Sequence, residues 1–193
     1  MSATHGPRRI VCLTEEPTET LYALGEQDRI VGISGFTVRP AIARKQKPKV
    51  SAFTSAKIDE ILKLEPDFVV GFSDIQADIA AELIRHGVEV WISNHRSVDG
   101  IIDYVRRLGA LVGVPEKAHA YADSLRRGLD AVETAATRLP ARPRVYFEEW
   151  DERRSAASSG SPSWSALPAA TTFFPSVPPS RWRGSASWKT LAR

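Results

Sequence analysis

Apolar residues along this chain fall into two alternating patterns. Short runs rich in β-branched residues occur at 9–14, 29–34, 50–53, 68–72 and 88–92. Between them, apolar positions recur every three or four residues at 18–24, 57–64, 75–86 and 98–112. The first pattern predicts buried strands and the second predicts amphipathic helices. Gly25, Gly87 and Gly113 each stand where a helical pattern stops. Residues 35–49 break the alternation and read as a loop, with Arg44, Lys45, Lys47 and Lys49 as a solvated basic cluster. Strands separated by helices of this length mean βαβ units and a parallel sheet.

From Pro115 the pattern changes. A single helix is predicted over 115–139, with Pro115 in its first turn. At 1.5 Å per residue it reaches about 37 Å, longer than a crossover on a small sheet needs. Pro140 and Pro143 end it, and residues 144–147 start another strand. The expected architecture is therefore α/β: a parallel-sheet, Rossmann-like N-terminal lobe followed by a long bridging helix. Residues 1–8 read as a disordered N-terminus, 9–113 as the lobe, 114–140 as the bridge and 141–152 as the start of a C-terminal lobe. Residues 153–193 fit no pattern, so that lobe is read as missing or scrambled.

Composition changes this picture in one respect. The 193 residues carry 26 Lys+Arg and 23 Asp+Glu, a net charge of +3. Six of the basic residues, and none of the acids, lie from Arg153 onward, so residues 1–152 hold 20 basic residues against 23 acids. The basic excess belongs to the tail, and the patterned region offers no basic stripe for nucleic acid. No run of 18 or more apolar residues occurs, so no membrane insertion is expected. The single cysteine, Cys12, rules out a disulfide framework and reads as a small buried hydrophobe. The polar N-terminus has no apolar core of the kind an export signal carries.

In an open parallel sheet, ligands bind beyond the carboxyl ends of the strands. Those ends carry Glu15 and Glu16, Phe36 and Arg39, Phe53, Phe72 and Ser73, Asn94 and His95, and Trp150. Aromatic residues beside a few polar groups suit a bulky, partly apolar ligand. Each aromatic taken singly is also ordinary loop packing, and each acid also an ordinary solvated side chain. His95 reads as an exposed loop residue or a cleft contact, and His86 and His119 as helix surface. No metal-ligand spacing and no phosphate-loop glycine pattern is present.

The segment Thr18-Glu19-Thr20-Leu21-Tyr22-Ala23-Leu24-Gly25, followed by Asp28-Arg29-Ile30-Val31-Gly32, resembles the opening of a known family. That family is the iron-siderophore and cobalamin substrate-binding proteins of ABC importers. Lys49-Val50, the run from Ile58 to Val69, and Gly87-Val88-Glu89-Val90 are similar to its next motifs. The resemblance covers about residues 9–152, and the cobalamin-binding branch looks nearest. It implies a ligand held between two α/β lobes joined by a rigid helix. The implied ligand is cobalamin or a related corrinoid, with a ferric siderophore or haem as alternatives; no other cofactor is implied. The resemblance places Phe53 and Phe72 as aromatic walls, and the strand ends add Glu15, Glu16, Phe36, Arg39, Ser73, Asn94 and Trp150 as expected ligand contacts, although Glu15, Glu16 and Arg39 depart from the family's usual residues. Asp78 stands where the family carries an acid that docks the membrane permease. The implied protein is a periplasmic monomer, and the polar N-terminus leaves a cytoplasmic location open. The rival reading is a cytosolic α/β enzyme using Glu15, Glu16 and His95.

The tail has its own expectation. Its 41 residues hold 10 Ser, 5 Pro and 3 Trp. Codons for 169–176 permit Gly-Gly-Asp-Asp-Ile-Leu-Pro-Glu in a shifted frame, similar to a motif of the same family. The tail is therefore read as an out-of-frame translation. Without a second lobe, the chain is expected to bind its ligand weakly or not at all and to aggregate readily.

Overall fold

The computed structural model describes residues 6–140, together with the backbone pairing of residues 144–145 and 171–172. Five strands form one sheet: β1 (Ile10–Cys12), β2 (Ile30–Ser34), β3 (Lys49–Ser51), β4 (Phe68–Phe72) and β5 (Val90–Ser93). Their order is β3-β2-β1-β4-β5, and every neighbouring pair is parallel. Six helices accompany them: α1 (Glu15–Ala23), α2 (Ala41–Gln46), α3 (Ile58–Lys63), α4 (Ala77–Arg85), α5 (Val98–Leu111) and α6 (Pro115–Ala136).

A parallel sheet must be covered on both faces, so its strands are apolar on both sides. β1 shows this directly. Ile10 and Cys12 face one layer, with Leu21 of α1, Ala43 of α2 and Ile102, Val105 and Leu108 of α5. Val11 and Leu13 face the other, with Ile61 of α3 and Ile79 and Leu83 of α4. All four β1-side residues are fully buried. Strand placement runs from β1 outward through β2 to β3, then returns past β1 to β4 and β5. The helices change face where this direction reverses, as right-handed crossovers require.

Three helix ends and one arginine hold the layers together. Gly25, Gly87 and Gly113 follow α1, α4 and α5 with φ of +75°, +79° and +79°, a conformation costly for other residues. Arg29 donates to the carbonyl of Val112 at 2.7 Å, capping the end of α5. It also pairs with Glu26 at 2.9 Å, and Glu26 pairs with Lys117 of α6 at 2.8 Å. Asp67 accepts from the backbone N–H groups of Arg8 and Arg9, at 2.7 and 2.8 Å, and seats the segment before β1. Arg8 thus lies in a bonded strap rather than the disordered N-terminus expected for residues 1–8; residues 1–5 lie outside the described residues.

Two expectations need correction. The segment 35–49 is not wholly a loop, since it holds α2. Its periodicity is weak because only Ala43 is buried. Nor are its basic residues all simply solvated: Arg44 donates to the carbonyls of Gly35 and Thr37, and Lys49 to the carbonyl of Arg44. The first helix also begins earlier than predicted, at Glu15 rather than 18. Pro17 falls in its first turn, where the missing N–H costs nothing, so Glu15 and Glu16 are helical rather than loop residues.

The chain divides into two compact units, residues 1–130 and 131–193. In the second, β6 (Arg144–Val145) pairs in parallel with β7 (Thr171–Thr172). The sequence assigns no element to the tail, yet these two β-branched threonines are extended. The other expectations for residues 146–193, including Trp150 and the out-of-frame reading of the tail, lie outside the described residues.

The approach of α5 to α6 depends on Gly109. A Cβ placed there would overlap the Cβ of Ala118, while the next nearest atoms lie at 3.4 Å. Gly109→Ala is expected to destabilise the chain by about 1–3 kcal/mol, as overpacking does. Adding Ala118→Gly to it is expected to recover most of that loss. Urea denaturation of the two variants beside the wild-type chain checks both outcomes.

Candidate functional site

The sheet reverses its winding at β1 and β4, so the carboxyl ends of these strands open a crevice. One side chain organises that edge. Gln76 is fully buried in the turn (Asp74–Gln76) between β4 and α4. Its Oε1 accepts from the backbone N–H of Phe72 at 2.9 Å, and its Nε2 donates to the carbonyl of Phe53 at 3.1 Å. Nε2 also lies 3.5 Å from the carbonyl of Leu13. One amide thereby joins the ends of β1 and β4 to the loop after β3. Ser51 adds a bond to the Leu13 carbonyl at 3.1 Å, and Ser93 one to the Gly71 carbonyl at 3.3 Å.

Beyond this clip lies a ladder of rings. Trp91 stacks on Tyr104 with centroids 5.4 Å apart, Tyr104 meets His95 at 5.0 Å, and His95 meets Phe72 at 4.7 Å. Arg96 lies over the outer side of Phe72 at 5.4 Å and pairs with Asp74 at 3.1 Å. The ladder draws on β4, β5 and α5. Ser97 caps α5 by accepting from the N–H of Gly100 at 3.0 Å, which fixes the turn that carries His95.

Glu16 Oε2, His95 Nδ1 and Tyr104 OH are each buried without a hydrogen-bond partner in the protein. A buried polar group left unpaired costs about 1–3 kcal/mol, and the hydroxyls of Thr14, Thr18 and Thr37 and the Nε of Arg106 are in the same condition. Burial pushes the His95 pKa down and Arg96 adds to this, while Glu16 opposes it. The imidazole is therefore neutral at pH 7. Burial pushes the Tyr104 phenol well up, with Cys12 and Glu16 acting in the same direction. It stays protonated. Burial also raises the Cys12 thiol to about 12, leaving it an inert apolar group.

The predicted site residues divide into three groups. Phe72 and the neighbouring His95 meet at the carboxyl edge, and Glu16 is half-buried in the first turn of α1. Phe36, Phe53 and Asn94 are exposed on the same carboxyl edge, Phe36 at 61% and Phe53 at 38%. Glu15 is exposed in the first turn of α1, its carboxyl raised by partial burial and then by Glu16. Two others are engaged elsewhere. Arg39 extends from the loop to pair with Glu19 of α1 at 3.2 Å. Ser73 is fully buried at φ +65°, and its hydroxyl accepts from the N–H of Ile75, so it serves the turn. Asp78 is exposed in the first turn of α4.

Sequence reasoning placed Gln76 and Tyr104 in ordinary helical patterns. Tyr104 lies seven residues into α5 and looks like a core residue, because only the packing of α5 on the sheet brings it beside His95. His95 did carry a signal, its position at a strand end, although the structure makes it half-buried rather than an exposed loop residue.

The chain is a doubly wound parallel lobe with aromatic rings along its carboxyl edge. The chain belongs to the periplasmic binding protein family, whose model matches residues 10–173. Among curated proteins it is similar to the cobalamin-binding protein of Halobacterium salinarum, 27% identical over 151 residues, covering 75% of this chain and 40% of that one. It is also similar to the vitamin B12-binding protein of Vibrio campbellii, 28% identical over 134 residues, covering 68% and 48%. Among solved structures it resembles the periplasmic vitamin B12 binding protein BtuF of Vibrio cholerae, with a TM-score of 0.63 and 25% identity, over 72% of this chain and 55% of that one. The periplasmic heme-binding protein RhuT of Roseiflexus sp. RS-1 shares the fold, with a TM-score of 0.68 and 24% identity, over 74% and 56%. The chain thus spans about half the length of the relatives it matches.

Gln76→Leu keeps the volume of the clip and removes its bonds, leaving the Phe72 N–H and the Phe53 carbonyl without this partner. It is expected to cost about 2–4 kcal/mol, because a buried hydrogen-bond network is broken. The loss is read from the denaturation midpoint, and near-neutral stability would show that the clip is dispensable.

Proposed function

We propose that this chain supplies the N-terminal half of the cleft of an ABC-importer substrate-binding protein, and that its ligand is cobalamin or a related corrinoid. The observation that carries the reading is the Phe72–His95–Tyr104 ladder at the reversal of the sheet, in a chain whose similar curated proteins are named for cobalamin and vitamin B12. A large, flat, partly apolar macrocycle matches an aromatic wall with few fixed polar groups. The periplasm as its working place, a permease as its partner and a monomeric state belong to the same proposal, as does the absence of a catalytic step. Asp78 fits the permease contact: it is an exposed acid beside the ligand edge, and such a rim charge steers docking. A haem or ferric-siderophore ligand is the second reading, supported by the fold likeness to the heme-binding protein RhuT.

The test is equilibrium dialysis of the full chain against cyanocobalamin, with hemin and a ferric hydroxamate in parallel. Half a cleft buries half a ligand, so the expected Kd is about 10–100 μM. Phe72→Ala is expected to weaken binding about tenfold through loss of the ring face. Preference for hemin would favour the second reading, and turnover of a bound metabolite would favour an enzyme.

The permease contact has a separate readout. Asp78→Lys is expected to leave cyanocobalamin binding unchanged. It is also expected to lower the rate of association with a cobalamin permease in detergent, with the difference shrinking as salt rises.

A further inference from the structure

Phe72 ends β4 at the carboxyl edge and is half-buried, so part of its ring is open to approach. Two side chains of the chain itself already lie against it. His95 meets the ring with centroids 4.7 Å apart and a tilt of 44°. The Arg96 guanidinium lies over the ring, 5.4 Å from its centroid. One nitrogen of that guanidinium, Nη2, donates to Asp74 Oδ1 at 3.1 Å. Arg96 is therefore held twice, by the negative face of the ring and by a carboxylate on the turn that follows it.

The two neighbours of Phe72 differ in kind. His95 is pinned: Ser97 accepts from the N–H of Gly100 at 3.0 Å, and a Cβ on Gly100 would come within 3.0 Å of the His95 Cβ. Asp74 also leaves a fixed backbone. Ser73 before it is fully buried at φ +65°, and its N–H donates to the Ser93 carbonyl at 2.7 Å. Beyond these backbones, the Arg96 and Asp74 side chains stand in solvent, 47% and 80% exposed. An ion pair this exposed is weak and screened by salt, and a cation–π contact at a solvated site is weak too. Together they bias the Arg96 side chain toward the ring without locking it there.

We propose that Arg96 is a built-in cap on Phe72: in the free chain it occupies the ring face that a flat ligand stacks on, Asp74 holds it there, and a neutral ligand binds as the cap swings aside. The proposal rests on the reading of this edge as the ligand face, and it names what competes for that face. The apparent affinity is reduced by the fraction of chains that are closed. Screening the ion pair opens the cap, so affinity for an uncharged ligand rises with salt.

Two measurements on the full chain test this. The first needs no ligand. In 1H–15N NMR spectra the Arg96 Nε–H is expected upfield of the other arginines, shielded by the Phe72 ring. Phe72→Leu is expected to remove that shift and Asp74→Asn to reduce it. The second is equilibrium dialysis against dicyanocobinamide, a corrinoid without net charge. Arg96→Gln, with its fold verified by circular dichroism, keeps a polar side chain and removes the cation. It is expected to bind the probe about three- to fivefold more tightly than the wild-type chain. Raising NaCl from about 50 to about 500 mM is expected to tighten wild-type binding about twofold more than binding by Arg96→Gln, which has no ion pair to screen. An unshifted Arg96 signal, equal salt responses, or probe binding by folded Arg96→Gln no tighter than wild type overturns the cap while leaving the corrinoid reading standing. Binding of the probe by neither chain overturns the corrinoid reading and the cap with it.

Discussion

The carboxyl edge of the sheet depends on one buried amide. Parallel strands leave their last carbonyls and N–H groups pointing into the region where a ligand must sit, and each of those groups needs a partner. Gln76 supplies partners to the loop after β3 and the end of β4, and approaches the end of β1. Its amide has both a donor and an acceptor, so it bridges strands that cannot bond to one another there. The position of Phe72, and through it the whole ring ladder, follows from this clip.

The ladder and the helices behind it form the second level of organisation. Trp91, Tyr104, His95 and Phe72 pass from the covered face of the sheet to its open edge, so a rigid core element reaches the site without a flexible link. Behind them, α5 and α6 meet through Gly109 and Ala118. Two ion pairs, Arg106–Asp123 and Arg126–Asp99, cross the same helix pair. These pairs are largely solvated and add little to stability. The close backbone approach is what sets the spacing, and the charges chiefly favour one alignment of the two helices.

The electrostatics of the edge are modest and specific. Burial favours the neutral His95 imidazole and the protonated Tyr104 phenol. Arg39 and Arg96 pair with Glu19 and Asp74.

How much of this was legible in the sequence varies with the range of the interaction. Strands and helices were readable, because runs such as Ile10 to Leu13 and the spacing of α5 are local periodic patterns created by burial on two faces. The helix stops at Gly25, Gly87 and Gly113 were readable because a positive φ excludes most side chains. α2 was missed because a helix with one buried alanine leaves almost no pattern. The strand-end rule located Glu16, Phe72 and His95, but it ranked Ser73 and Arg39 with them, and their side chains turn to the chain's own backbone and to Glu19. Sequence alone determined the alternation of elements and the edge at which chemistry collects, since both follow from periodicity. Only tertiary structure decided that Gln76 is the clip and that Tyr104 packs against His95, because the clip reaches partners 23 and 63 positions away and both arrangements exist only once the layers have packed.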